Sequence, residues 1–236
     1  MTPLTVISTA VDWDTGRVCR SSVRSQRGGP WRHLWRSGDG AVWGTTPWDN
    51  NPVVSDCGKR NVTSIEGVID MVTECEPDTV IVWLDGDDWL YSASALERIR
   101  REYDEHPDTW VTWGSYVMSS GARGSVCGRN WSRKSGWGCG HPKTFRAGLF
   151  HRIDREHLRY DDRWIDRCVD KLVMFSITEM AGKERCREIS DVLYVYDYDR
   201  FGAKREADPV EHAREMAIER MIRSRPEYAR LDRAPW

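Results

Sequence analysis

The chain has 236 residues, enough for one α/β unit with a sizeable core and a tight fit for two. Its 35 Lys and Arg against 37 Asp and Glu leave a formal net charge of −2, so contact with a polyanion would need a local basic patch. No stretch approaches the roughly 18–20 apolar residues of a membrane helix, and the N-terminus carries neither the basic region nor the cleavage site of an export signal, which points to the cytoplasm.

Residues 4–8 are a short apolar run suited to a buried strand. A helix is expected over 15–26, with Val18, Ser22 and Gln26 on one side, broken by Gly28-Gly29-Pro30. A second strand over 31–35 ends at Ser37-Gly38-Asp39-Gly40, and the Gly, Pro, Asn and Trp of 40–58 predict a long loop. Val62, Ile65, Ile69 and Val72 stand at helical spacing within 61–75, and Pro77 ends that helix. Residues 79–84 read Thr-Val-Ile-Val-Trp-Leu, apolar without alternation, as in a central strand covered on both faces. Ser94 and Glu97 have capping-box spacing for a helix running to residue 105. A strand over 110–118 and a flexible Gly/Arg/Trp loop over 121–140 follow. Then comes a helix over 164–181, with Ile165, Val169, Leu172, Val173, Ile177 and Met180 on one face. A strand over 191–196 and a helix over 209–223 close the order, which predicts an α/β fold.

Seven cysteines form no C-x-x-C pair, so reduced thiols are expected rather than a zinc site or a disulfide framework. Among the 13 tryptophans, Trp31, Trp35, Trp43, Trp48, Trp131 and Trp137 fall beside Gly or Arg, which suits partial burial or stacking on sugars and bases. Residues 17–36 and 129–146 are locally basic. The second interleaves Arg129, Arg133, Lys134 and Lys143 with Trp131, Trp137 and Phe145, a mixture that can grip a phosphate backbone, cover a sugar diphosphate or simply be solvated.

The chemistry concentrates in Asp85-Gly86-Asp87-Asp88, three carboxylates in four residues after the apolar strand. Open α/β sheets bind ligands at this edge. Like charges so close call for a cation, and carboxylate oxygens suit a hard divalent ion that bridges to a diphosphate. An Asp-Gly hairpin is the bland alternative, but it needs an alternating strand next, whereas Trp89-Leu90-Tyr91 leads into a helix.

Residues 82–90, Val-Trp-Leu-Asp-Gly-Asp-Asp-Trp-Leu, resemble the D-x-D-D region of family 2 glycosyltransferases with the GT-A fold. Further likeness lies in Thr5 to Thr9, Gly58-Lys59-Arg60-Asn61, His141-Pro142-Lys143-Thr144-Phe145, Asp170 with Met174-Phe175 and Glu179-Met180-Ala181-Gly182, and Leu193-Tyr194-Val195-Tyr196. The match spans roughly residues 4–200 in family order and is nearest small bacterial and phage members. The resemblance implies a single GT-A domain over 1–236, with a nucleotide-sugar half (1–90), an acceptor half (91–200) and a C-terminal helical extension (201–236). It implies that Asp87, with Asp88 beside it, holds Mn²⁺ or Mg²⁺, that His141 is a further metal or diphosphate ligand, and that Asp85 lies against the ribose or helps the metal. It places Asp39 at the nucleotide base, Arg60 at the nucleotide or diphosphate, and Asp170 as general base of an inverting transfer from a nucleoside diphosphate sugar to a hydroxyl. That acceptor would be a modified DNA base, a virion protein or a glycan. Two departures concern base recognition: the first strand ends Ser8-Thr9-Ala10-Val11-Asp12 without the usual Pro and Asn, and the second has Arg36-Ser37-Gly38-Asp39 where paired acids are common.

The residues taken alone leave other readings open. Arg163 and Arg167 precede Asp166 and Asp170 at the spacing of surface ion pairs. His141 suits a neutral loop histidine, Arg60 a solvated helix start and Asp39 a turn. A non-catalytic nucleotide- or nucleic-acid-binding relative is the alternative function. A metal-dependent nuclease or phosphatase would want a second carboxylate cluster, which the sequence does not contain.

Overall fold

The computed structural model describes residues 1–38, 63–124, 131–197 and 208–236, and the backbone of two strands at 41–45 and 53–56. The elements are β1 (Leu4–Ala10), α1 (Arg17–Arg24), β2 (Trp31–Ser37), β3 (Ala41–Thr45), β4 (Val53–Asp56), α2 (Ser64–Thr73), β5 (Val80–Trp83), β6 (Trp89–Leu90) and α3 (Ala95–Glu105). They continue with β7 (Val111–Met118), β8 (Lys143–Arg146), α4 (Ala147–Phe150), β9 (Arg159–Tyr160), β10 (Arg163–Trp164), α5 (Val169–Ala181), β11 (Cys186–Tyr196) and α6 (Pro209–Ser224).

Among the described residues, 9 strands make one mixed sheet in the order β4-β3-β2-β1-β5-β8-β7-β11-β6. β1 runs parallel to β2 and β5, and β7 parallel to β11. β8 is antiparallel to both β5 and β7. The carboxyl ends of β1, β2, β5, β7 and β11 therefore share one sheet edge. β8 begins at that edge, with Lys143 opposite Trp83 and Trp113.

β5 is covered on both faces, as its unbroken apolarity predicts. Val80, Val82 and Leu84 join a core with Leu96 and Ile99 of α3, whereas Ile81 and Trp83 join Ile65 and Val68 of α2 and Leu172 and Val173 of α5. α2 starts on a capping box: Thr63 Oγ1 accepts from the Glu66 amide, and the Glu66 carboxylate accepts from the Thr63 amide. The box expected at Ser94 and Glu97 does not form, because the Ser94 hydroxyl pairs with that of Ser92.

Two further expectations change. The loop expected over 40–58 contains the antiparallel strands β3 and β4, added outside β2. The helix expected from 164 starts at Val169, because Arg163 and Trp164 pair with Tyr160 and Arg159 and Cys168 takes a left-handed φ of 53°. That start puts Asp170 in the first turn of α5, where the helix dipole favours a negative charge.

Of the six tryptophans singled out in the sequence, Trp31, Trp35, Trp131 and Trp137 pack in or against the core, and the side chains of Trp43 and Trp48 lie outside the described ones. Trp31 and Trp35 are core residues. Trp131 and Trp137 lie with ring centroids 5.7 Å and 5.3 Å from Phe175 of α5. The basic segments are divided: Arg17, Arg24, Arg27 and Lys134 are exposed, whereas others are held by the protein. Arg20 stacks on Trp13 at 3.3 Å, and Arg32 and Arg36 both pair with Glu74. Arg133, 2% exposed, pairs with Glu179 through two bonds of 2.8 Å and 2.9 Å. No helix among the described residues is long and apolar enough to cross a membrane.

Candidate active site

The chain leaves β5 at the sheet edge and turns at once against the end of β1. The Leu84 amide donates to Ile7 and the Gly86 amide to Thr9, prolonging the ladder beyond the strand. A Cβ at position 86 would stand 2.4 Å from the Thr9 carbonyl oxygen and 2.6 Å from Ala10 Cβ, so only glycine lets the acid loop lie this close. The Asp88 amide closes the turn onto the Asp85 carbonyl at 3.1 Å.

The three acids of the loop are not equivalent. Asp85 and Asp87 are part-exposed, whereas Asp88 is 0% exposed. Tyr194 of β11 gives its hydroxyl proton to Asp88 Oδ2 at 2.6 Å, and the Asp197 amide donates to Asp88 Oδ1 at 2.7 Å. The Asp85 amide in turn donates to Tyr194 Oη at 3.2 Å. Burial, then the charges of Asp85 and Asp87, hold the Asp88 carboxyl well above the usual carboxylate range. Each Asp88 oxygen thus accepts one hydrogen bond from the end of β11 and ties the acid loop to that strand, with a second lone pair left on each oxygen.

Asp85 is pushed up to about 6, mainly by burial, with Lys143 pulling it down and Asp87 and Asp170 pushing it up. The carboxylate resists ionisation because burial, joined by the neighbouring acids, exceeds what Lys143 offsets.

Opposite the acid loop stands Asp170. Its Oδ2 lies 3.1 Å from Lys143 Nζ, and its Oδ1 accepts from the Lys171 amide at 2.8 Å. Burial works to raise this carboxyl, but Lys143, then His141, and the two hydrogen bonds outweigh it and hold it below the ordinary range. The side chain keeps 34% exposure, so it is open to solvent. The surface pair expected between Arg167 and Asp170 does not form: Arg167 pairs with Glu211, and Asp166 pairs with Arg214.

His141 sits before a cis bond to Pro142, with its ring near Tyr194 (centroids 4.5 Å apart) and stacked on Tyr196 (5.6 Å). Both ring nitrogens lie within 3.3 Å of Lys143 Nζ. Burial first and Lys143 second push the imidazole well below its usual range, so it is neutral. An ammonium thus competes for the lone pair that a metal would need. Among the described residues no group of three His, Cys, Asp or Glu is placed so that it could hold a metal ion. Asp39 and Arg60 lie outside the described residues.

Lys143 and Tyr194 are the site residues that the sequence did not single out. Lys143 read as part of a basic loop. Only the antiparallel register of β8 shows that it emerges between the acid loop and α5.

No protein-family profile matches this sequence, and no curated protein does. Solved structures are similar in fold. Residues 1–349 of S. aureus TarS align with a TM-score of 0.60 at 11% identity, over 94% of this chain and 65% of that one. The same fragment in complex with UDP-GlcNAc gives 0.61 at 13% identity, over 84% of this chain and 58% of that one. The fold is that of the GT-A glycosyltransferases. The chain spans less than two thirds of the length of these TarS structures, and at this identity the likeness is one of fold.

Proposed function

We propose that the protein is a glycosyltransferase that moves a sugar from a nucleoside diphosphate to a hydroxyl acceptor. One observation carries this reading: at the carboxyl edge of a GT-A sheet, the acid loop of Asp85 and Asp87 faces Asp170 across a single lysine. The TarS fragment of the same fold is seen with UDP-GlcNAc, which makes a UDP-sugar the first donor to test.

Asp85 and Asp87 fit a hard divalent ion, Mn²⁺ or Mg²⁺, of the kind held by one or two carboxylates plus phosphate oxygens. The upward push on Asp85 is the strain that such an ion would relieve. When bound, the ion supplies charge neutralisation to the departing diphosphate. Asp39 and Arg60 keep their proposed places at the nucleotide base and the diphosphate.

Asp170 receives the acceptor proton. The acceptor oxygen forms its bond to the anomeric carbon on the face opposite the diphosphate. The bond from that carbon to the phosphate oxygen breaks, its electron pair leaves with the diphosphate, and the configuration inverts. A carboxyl held below its usual range is ionised at neutral pH and ready for this role. Arg20, Arg133 and Lys143 are engaged inside the protein, whereas Arg17, Arg24, Arg27 and Lys134 are exposed, so a modified DNA base, a protein hydroxyl and a glycan all stay acceptor classes to test.

A panel of nucleoside diphosphate sugars, incubated with Mn²⁺ or with chelator and read by mass spectrometry, tests the proposal. Metal-dependent release of free nucleoside diphosphate from at least one donor is expected. Donor binding without release would favour the non-catalytic relative, and neither binding nor release would defeat the assignment.

A further inference from the structure

A lysine in a four-residue strand at the middle of the sheet is an unusual use of a core position. Lys143 is 2% exposed, flanked in register by Trp83 on β5 and Trp113 on β7. A buried ammonium costs stability unless it is paired, and an apolar side chain of the same length would serve packing as well or better. The groups around Lys143 are specific. Nζ lies 3.1 Å from Asp170 Oδ2 on α5 and 3.0 Å from His141 Nε2, and the carboxylate of Asp85 acts on it from the acid loop. The Cys139 thiol is the remaining titratable neighbour.

The geometry of Asp170 shows what this arrangement accomplishes. Lys143 holds one carboxylate oxygen and the Lys171 amide holds the other, so the plane of the carboxyl group is fixed from two directions. Each oxygen still has a second lone pair for a hydroxyl proton. His141, wedged against Tyr194 and Tyr196, bounds the ammonium on its other side. We propose that Lys143 is a positioning residue for the transfer, aiming the Asp170 carboxylate at the acceptor through the ion pair rather than touching donor or acceptor itself. The proposal rests on the reading of Asp170 as base.

The test compares Lys143→Met, Asp170→Asn and the double variant for donor turnover and for UDP affinity by calorimetry, with thermal unfolding to confirm folded protein. Lys143→Arg serves as a charge-retaining control. Lys143→Met should lose about 100-fold in kcat at saturating donor and Mn²⁺, the scale of a misplaced reacting group, with UDP affinity in metal-free buffer unchanged. Added to Asp170→Asn it should cost nothing further in kcat, because its effect passes through Asp170. Lys143→Arg should recover part of the loss. An unchanged kcat in Lys143→Met, an equal loss in the Asp170→Asn background, or a parallel drop in metal-free UDP affinity would each overturn the positioning role while leaving the transferase assignment intact. A wild-type protein without turnover on any donor would remove both.

Discussion

The acid loop and the start of α5 both present carboxylates to the same sheet edge, yet their electrostatics run in opposite directions. At Asp85, burial and neighbouring acids exceed the help that Lys143 gives, and the carboxyl is pushed up to about 6. At Asp170, Lys143 and two hydrogen bonds exceed the cost of burial, and the carboxyl is held down. One lysine thus divides the site into a region that carries its own cation and a region that lacks enough positive charge. The first suits a base that must be ionised before substrate arrives, and the second suits a divalent ion delivered with a diphosphate.

The contrast is broken most severely at its base. Asp170→Asn should lose about 10²–10⁴ in kcat, the usual contribution of a positioned general base, while UDP affinity measured by calorimetry stays at the wild-type value. Loss of UDP binding instead would move Asp170 into the nucleotide site.

A smaller effect sharpens the acid-loop side. Because the folded value for Asp85 lies near 6 and its ordinary value is 3.8, ionisation of this group works against folding. The penalty is absent below the ordinary value and complete above about 6. In metal-free protein, Asp85→Asn should therefore raise the unfolding midpoint at neutral pH by a few degrees, given about 2–4 °C per kcal/mol in a chain of this size. The gain should shrink as pH falls through the window between the two values. A gain independent of pH would mean that packing, not charge, is responsible.

Much of this was legible in the sequence, and the reasons differ by residue. The apolar run of β5 announced a central strand, because a strand buried on both faces does not alternate. Asp170 was visible as an acid near a helix, although the helix begins at Val169 and not at 164. The strands β3 and β4 were hidden, since they are short and lie within a stretch rich in Gly, Pro and Asn that reads as loop. The division of labour within the acid loop was invisible as well. Asp87 and Asp88 are adjacent and chemically alike, and only the fold shows that Tyr194 and the Asp197 amide claim Asp88. Lys143 was hidden for the same reason: a charge in a basic stretch reads as solvated until its register places it inside the sheet.

The most direct test of the account is calorimetry of UDP binding with and without Mn²⁺ in three proteins: wild type, Asp87→Asn and Asp88→Asn. Wild type should bind UDP more tightly with Mn²⁺, Asp87→Asn should lose that gain, and Asp88→Asn should retain it. A wild-type affinity indifferent to Mn²⁺, or a gain lost in Asp88→Asn and kept in Asp87→Asn, would contradict the site described above.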